Sequence, residues 1–314
     1  MKKATTILAA VLAIAALAIV AVSCDGTTPD PDDNGLGDGR KISRLTVVGN
    51  PNALDEYDRR DRVYDFEYDA QNRLVSLTGP LFSSGSYSVV NDEIRFAYAG
   101  DRVTVTGFPQ SEISTPLQCD EEGHCEEGDT YIATQTLEAQ LNGSGYLASA
   151  TATVVWDHDL PDDVITLTAT YDANGYLTGL AFHVDHPGKV EDYRYTVAWT
   201  AGNLTRLQVS TDEYSSAQYS TSLHRANIDL NWIICSNDAF FDLDEFQLFA
   251  YAGLLGRHNL NLVAQTVDNR DGGPAARHTY SYVFDPDGYV TQWTVDRPDS
   301  PDYTPDVVRV EYRQ

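Results

Sequence analysis

The segment YDANGYLTGL at residues 171–180 sets the pattern of this chain, because similar segments recur along it. Each copy joins a strand end to a short turn rich in Asp, Asn or Gly and then to a strand that resumes with Leu or Val. An Asp at the start of the turn can accept hydrogen bonds from backbone amides, a role that needs no catalysis. The repeats therefore predict β-hairpins. The other copies begin at Tyr68, Tyr98, Leu141, Trp199 and Phe284.

Outside the turns, residues 42 to 314 mostly alternate between apolar and polar side chains. In residues 193–199, for example, Tyr193, Tyr195, Val197 and Trp199 alternate with the polar Arg194 and Thr196. This pattern predicts antiparallel strands with one apolar and one polar face. Six hairpins give about a dozen strands, and a meander of that length must curve or close. We therefore predict an all-β fold, a single antiparallel domain at 41–314 that is strongly curved or closed into a barrel-like sheet.

One stretch, residues 226–256, is strongly apolar and lacks strict alternation. Its pattern predicts a helical insertion of two short helices that lie against the sheet, with Asn227 and Asp242 as N-caps and Gly253 and Gly256 as stop signals. Its Cys235 is expected to be a small buried hydrophobic residue. The residues that recur at helical spacing are Ile228, Trp232 and Cys235, followed by Leu243, Phe246 and Phe249.

The charge balance excludes whole classes of partner. The 314 residues contain 21 Lys and Arg against 47 Asp and Glu, which gives a formal net charge of −26. This composition excludes a basic nucleic-acid-binding protein and a polybasic patch for anionic lipids. An aromatic content of 11% argues against wholesale disorder.

The N-terminal segment predicts export. Lys2 and Lys3 precede an apolar run that stops at Ser23 and Cys24 before an acidic stretch, which is typical of a lipoprotein signal peptide at residues 1–23. Cleavage would leave Cys24 for lipidation. The alternative is an uncleaved membrane anchor, since about 20 apolar residues can span a bilayer. We expect an exported protein, lipid-anchored in the bacterial envelope, with the outer membrane as its location and its side undetermined.

Residues 24–40 are rich in Asp, Gly and Pro, and we predict a flexible acidic tether there. Four of its residues, Asp30, Asp32, Asp33 and Gly35, have spacing similar to a calcium loop. The distal Glu that such a loop needs is absent, so the linker interpretation is favoured.

Two cysteines, Cys119 and Cys125, flank an acidic loop. In an oxidising compartment a disulfide between them is the leading interpretation. The alternative recruits His124 and both thiolates to a metal ion, but a fourth ligand is missing.

Two other groups of residues contain metal-ligating side chains. His183, Asp185 and His186 would supply two imidazoles and a carboxylate, but a polar sheet face that meets a turn is favoured. The acidic loop around Asp157 would supply oxygen ligands for calcium, but solvated carboxylates are favoured. With no catalytic motif in the sequence, we expect neither an enzyme nor a bound cofactor or metal. The acidic loop consists of Asp157, Asp159, Asp162 and Asp163.

The lipobox ending at Cys24, the Tyr-Asp-x-x-Gly-Tyr-Leu hairpins and two apolar segments together resemble a family of bacterial lipoprotein domains of unknown function described as having a porin-like β fold. The apolar segments are NIDLNWII at 227–234 and LFAYAGLLGRHNLNL at 248–262. The hairpins also loosely resemble the tyrosine-aspartate repeats of large secreted shell-forming proteins. The family resemblance implies a curved or closed antiparallel sheet and an envelope location, and it assigns no catalytic residues.

Three functions are compatible with these features. The favoured one is a non-catalytic binding module whose exposed Tyr and Trp side chains hold a glycan or protein. The alternative is a carrier of a hydrophobic ligand, enclosed between the curved sheet and a helical lid. A membrane-spanning barrel is disfavoured because Thr, Arg and Glu occupy positions that would face lipid.

Overall fold

A computed structural model describes residues 40–52, 59–80, 92–108, 111–114, 118–119, 125–126, 130–156, 163–186, 189–210, 215–225, 244–269, 275–299 and 304–313. All of these belong to one compact unit, Gly35–Gln314. The predicted signal peptide, Cys24 and the predicted tether up to residue 39 lie outside the described residues. None of the helices in the described part of the chain is long and apolar enough to cross a bilayer.

Sixteen antiparallel strands close into a barrel, which confirms the predicted fold class. Closure is made by the first strand, which pairs with both the second strand and the last. The six hairpins recognised in the sequence supply twelve of the sixteen strands. The remaining four are the first and last strands and the two that flank the insertion, so no repeated turn marks them.

The bounds of the elements follow the alternating segments of the sequence. The helix is α1 (Asp244–Tyr251). The strands are β1 (Ile42–Val47), β2 (Arg62–Tyr68), β3 (Leu74–Gly79), β4 (Asp92–Ala99), β5 (Arg102–Thr106), β6 (Ser111–Ser114), β7 (Gln118–Cys119), β8 (Cys125–Glu126), β9 (Thr130–Leu141), β10 (Leu147–Trp156), β11 (Asp163–Tyr171), β12 (Leu177–His186), β13 (Lys189–Thr200), β14 (Asn203–Ser210), β15 (Ser215–Arg225), β16 (Asn261–Asn269), β17 (Ala276–Phe284), β18 (Val290–Asp296) and β19 (Asp306–Tyr312).

Three short strands, β6, β7 and β8, are not part of the closed ring of sixteen. β6 pairs with the first four residues of β9, whereas β5 pairs with residues near its end. β7 and β8 form a separate antiparallel pair. Its register continues that of β6 and β9, because the numbers of two paired residues add up to 244 in both pairs of strands (114 + 130 and 119 + 125).

The two ends of the barrel differ in their connections. We call the end that carries the tight turns the turn end, and the opposite end the loop end. The turn end also carries residue 40, the C-terminus of β19 and residues 244–260. Its tight turns are at 69–73, 100–101, 142–146, 172–176, 201–202 and 285–289. The loop-end connections are at 48–61, 80–91, 107–129, 157–162, 187–188, 211–214, 270–275 and 297–305.

Side chains alternate between a buried inner face and an exposed outer face. On β4, Ile94 and Phe96 are buried, while Glu93 and Arg95 between and beside them are exposed. The buried side chains of the strands form one apolar cluster together with α1. A round barrel of sixteen strands encloses a channel wide enough for water. Burial of the inward side chains to a few per cent exposure shows instead that they are packed against other protein atoms.

The second predicted helix is present as α1, and the first falls on residues outside the described part of the chain, together with Cys235 and both proposed N-caps. Phe249 is fully buried in the core cluster. Gly253 ends the helix as predicted, with a φ of 70°. Its amide donates to the Ala250 carbonyl, and the Leu254 amide donates to the Phe249 carbonyl, which is the Schellman arrangement.

Residues 254–260, which we call the strap, follow the helix and run across the turn end. The Leu147 amide donates to the Leu254 carbonyl at 2.8 Å. Three residues later the Arg257 amide donates to Gly175 O at 2.9 Å, and after three more the Leu260 amide donates to Gly202 O at 2.9 Å. Adjacent hairpins are two strand spacings apart, about 10 Å, which is also the length of three extended residues. The strap therefore meets three successive turns in step.

Candidate functional site

The repeated turns at the turn end share one hydrogen-bond scheme. Asp172 Oδ1 accepts from the amides of Asn174 and Tyr176, both at 2.9 Å. Asp69, Asn142 and Asp285 accept from the amides two and four residues further on in the same way. The predicted structural role of Asp69, Asp172 and Asp285 is thereby confirmed, and Asn142 has the same role through its amide oxygen.

These bonds also affect the acidity of two turn carboxyls. The pKa of Asp285 is lowered, first by the hydrogen bond from the Tyr289 amide and further by Arg40. The pKa of Asp69 is lowered, first by the bond from the Arg73 amide. Both carboxylates are therefore ionised and bound to their own turns at neutral pH, where neither serves as a proton donor.

In four of the six tight turns, the last residue packs on an aromatic side chain at or near the end of a neighbouring strand. Tyr146 contacts Tyr171 with ring centroids 5.6 Å apart, and Tyr176 contacts Trp199 at 4.7 Å. Tyr289 and Tyr312 repeat the arrangement at 5.4 Å, and the Arg73 guanidinium lies 4.4 Å from the centre of the Tyr98 ring. In the Tyr146–Tyr171 and Tyr176–Trp199 pairs, the second aromatic of one repeat packs on the first aromatic of the next, which explains why the motif carries both.

Arg40, the last residue of the predicted tether, is attached to the turn end. Its guanidinium bonds Asp285 at 2.8 Å, bonds Asp287, and lies 4.4 Å from the centre of the Tyr289 ring. The bond to Asp287 is the first cause of its raised pKa. The Arg313 amide donates to the carbonyl of Lys41, so the start and the end of the barrel meet here.

Burial also affects two tyrosines of the turn end. It raises the pKa of Tyr98 to about 12 and raises that of Tyr171. Both phenols therefore stay protonated at neutral pH, where neither acts as a base.

The two cysteines of the acidic loop lie directly opposite each other in the β7–β8 pair. Directly opposite residues on antiparallel strands have Cα atoms about 4.5–5.5 Å apart, a separation that a disulfide spans. The register of Cys119 and Cys125 is thus compatible with the predicted bond, which stays a prediction.

Two of the three residues considered as a two-histidine, one-carboxylate metal site, His183 and Asp185, have side chains that the structure describes. His183 and Asp185 share the exposed face of β12, as predicted from their spacing. His183 Nδ1 lies 2.9 Å from Asp192 Oδ1 on the neighbouring strand β13. The side chain of His186 is outside the described set.

The acidic loop considered for calcium is described only at its last residue. Asp163 begins β11, and its residue is 8% exposed, so it is not the solvated carboxylate that we expected. Its position explains the difference, because it alternates with the buried Ile165 and Leu167 on the inner face. Asp157, Asp159 and Asp162 lie outside the described residues. Within the described set, no group of three or more His, Cys, Asp or Glu side chains is placed to hold a metal ion.

A cluster of polar side chains on the inner face of β16 and β17 was not predicted from the sequence. Thr266 Oγ1 lies 3.3 Å from His278 Nδ1 and 3.5 Å from the Tyr280 hydroxyl, and both Thr266 and His278 are buried. Asp268, also buried, lies two residues further along β16. The sequence feature that could have indicated this cluster is the presence of polar residues at inward-facing positions of an alternating strand. The hydrogen bonds explain how Thr266 is accommodated inside the barrel.

Within the described part of the chain, the aromatic side chains do not form the exposed platform that the binding hypothesis assumed. Among the described residues, the large hydrophobic side chains that are exposed are Val155, Val190 and Val283. The described Tyr and Trp side chains are buried or half-buried. They stabilise the turn end and the core.

Comparison with known proteins places this geometry in a family. A porin-like protein from Bacteroides uniformis has a TM-score of 0.57 at 19% identity, covering 87% of this chain and 96% of that one. A porin-like protein from Bacteroides vulgatus has a TM-score of 0.53 at 12% identity, covering 88% and 99%. At these identities the likeness concerns the fold alone. No curated protein matches the chain. The family model "Domain of unknown function (DUF4595) with porin-like fold" matches residues 66–292, and the chain belongs to this family.

Proposed function

We propose that the protein is a lipid-anchored, non-catalytic binding module of the bacterial cell envelope, and that its loop end contacts a glycan or a protein. The observation that carries this proposal is the contrast between the two ends. Except for the insertion at 226–260, the turn-end connections are tight turns, whereas several loop-end connections are long. Long connections on a rigid scaffold are where binding residues concentrate.

The direction of burial supports a place beside the membrane rather than within it. A barrel that spans a bilayer presents an apolar band outward and a polar interior. The described strands do the opposite: β5, for example, buries Val103 and Val105 and exposes Arg102, Thr104 and Thr106. A lipid at Cys24 would then be what attaches the domain to a membrane.

The lipid anchor is tested by labelling cells with an alkyne fatty acid. The protein should incorporate the label, and Cys24→Ser should abolish incorporation while leaving the protein folded. Label that persists in the Cys24→Ser protein, or its absence from the unaltered one, contradicts the anchor.

Binding is tested on a glycan array and by crosslinking to envelope proteins. The sequence places four tyrosines in loop-end connections, and replacing one that contacts the ligand by Ala should weaken binding about tenfold. The matched control is Asn174→Ala at the turn end, where the exposed side chain should be dispensable. Equal loss in both classes of variant, or no binding at all, contradicts the proposal. The loop-end tyrosines are Tyr57, Tyr87, Tyr214 and Tyr303.

The carrier hypothesis needs space inside the barrel. Leu77, Ile94, Val105 and Leu137 on adjacent strands are each 0% exposed, and Phe249 of α1 is equally buried. Such packing favours a filled interior over a ligand chamber. Native mass spectrometry of protein purified from cells tests whether a ligand occupies the interior. A co-purifying lipid would support the carrier function.

A further inference from the structure

We propose that a two-stranded ribbon at the loop end binds an extended segment of an envelope protein, rich in Lys or Arg, as a third strand. The ribbon consists of β6, β7, β8 and residues 130–132 of β9. This strand addition is a specific form of the binding function proposed above, and it rests on that function.

The ribbon has open edges, in contrast to the closed ring. Every strand of the ring of sixteen has a partner on both sides, and closure of this kind removes sheet edges. Among the described strands, by contrast, β6 pairs with β9 alone, and β7 and β8 pair with each other alone. The shared register of the two pairs indicates that they follow one another along the same ribbon.

The edge of β9 that faces β10 is the one that accepts a third strand. Trp156, the last residue of β10, is opposite Ala133, so residues 130–132 lie beyond the end of β10. On their other side these residues pair with residues 112–114 of β6. In the described part of the chain no strand lies on the β10 side of 130–132. An added strand would continue the sheet where β10 stops, with main-chain hydrogen bonds of the kind that hold β10 itself.

The opposite edge of the ribbon is a poorer template. The chain between β6 and β7 contains Pro116, which has no amide hydrogen to donate to an added strand. The sequence from Cys125 to Leu141 contains no proline. An isolated two-stranded hairpin is only marginally stable in water, so a third strand on the β8–β9 side would also stabilise the ribbon.

Charge selects a basic partner. The described strands of the ribbon carry Glu112 and Glu126 and no Lys or Arg. In the sequence, the stretches that join these strands add five acids and again no Lys or Arg, and each acid is within three residues of a described strand. Opposite charges on neighbouring strands stabilise a sheet, whereas like charges destabilise it. The ribbon therefore repels a second copy of itself and attracts a strand with Lys or Arg. The five acids are Asp120, Glu121, Glu122, Glu127 and Asp129.

Fluorescence anisotropy with synthetic peptides tests the strand addition on the full-length protein. The probe is a labelled peptide in which Lys alternates with Thr and Val. One control peptide has Glu in place of Lys, and another keeps Lys but is N-methylated at every amide, which removes all main-chain donors. The unmodified Lys peptide alone should bind, and it should slow amide hydrogen exchange in residues 125–132.

A matched pair of variants locates the site. Glu126→Lys places a like charge in the ribbon and should weaken binding of the Lys peptide about fivefold. The control is Glu138→Lys, because Glu138 is exposed on the same strand β9 but pairs with β5 on one side and β10 on the other. This control variant should change the affinity by less than about twofold.

Three results overturn the strand addition: no binding of the Lys peptide, equal binding of the N-methylated peptide, or equal losses in the two variants. Slow exchange of the same amides without peptide, together with a dimer in native mass spectrometry, also overturns it, because a second copy would then occupy the edge. If the Lys peptide fails but a glycan or an envelope protein binds through the loop-end tyrosines, the binding module stands and the strand addition alone falls.

Discussion

At the scale of single residues, the turn glycines separate two physical effects. Gly175 has a φ of 84°, and a Cβ there would lie 3.1 Å from the Tyr146 ring. Gly145 has a φ of 79° with open space around it, and Gly143 has open space and no positive φ. We expect Gly175→Ala to lower the free energy of unfolding by about 2 kcal/mol, Gly145→Ala by about 1, and Gly143→Ala by close to 0. Urea unfolding of the three variants checks this order, and equal losses would contradict it.

The turn carboxylates predict how stability depends on pH. The pKa of Asp285 is lowered in the folded protein, so its contribution is present above the unfolded-state value of about 4 and is lost as the pH falls through the folded value. Asp285→Asn should therefore be less stable than the unaltered protein at pH 7, with a difference that narrows towards pH 3. Asn142, the amide at the equivalent position, is the internal control, because Asn142→Ala should cost the same at both pH values. A difference for Asp285→Asn that is constant with pH would contradict the account.

At the scale of single elements, α1 fills the core beneath the turn end. Phe249 is fully buried, and Phe249→Ala should lower the free energy of unfolding by about 3–5 kcal/mol. Val155 on the outer face of β10 is 44% exposed, and Val155→Ala should cost less than about 0.5 kcal/mol. Similar losses in the two variants would show that α1 is not packed as described.

The acidic β7–β8 pair predicts a bond between its two cysteines. Cys119 and Cys125 are opposite in register, so the exported protein should resist alkylation at both until it is reduced. Peptide mapping by mass spectrometry checks this linkage. Alkylation of both thiols without reductant would contradict it.

The sequence predicted the hairpin turns and the end of α1, but not the contacts of the strap or the burial of Asp163. The six turns were visible because each pairs Asp, Asn or Gly with alternating strands, and Gly253 marked the end of α1. Nothing in the sequence showed that the strap meets the turns of Gly175 and Gly202 every third residue, since that match arises from the spacing of strands in the closed sheet. The sequence predicts a solvated loop at Asp163, because the inward position of this residue depends on where β11 begins.

At the scale of the whole molecule, the two defining features are the closure of the sheet and the inward orientation of its apolar face. The meander predicted closure in general terms, but the pairing of β1 with both β2 and β19 joins residues far apart in sequence, and alternation alone does not determine such partners. Once closed, the apolar faces point inward and Thr, Arg and Glu point outward. The proposal that the barrel lies beside the membrane, and is not embedded in it, rests on this feature.

Detergent phase partition of the Cys24→Ser protein shows directly whether the barrel is embedded in lipid. Without the anchor, the folded β-rich domain should stay in the aqueous phase, because its outer face is polar, and carbonate should wash it from membranes. Recovery of the folded Cys24→Ser protein in the detergent phase, or its retention in carbonate-washed membranes, would contradict the account and indicate a barrel embedded in lipid.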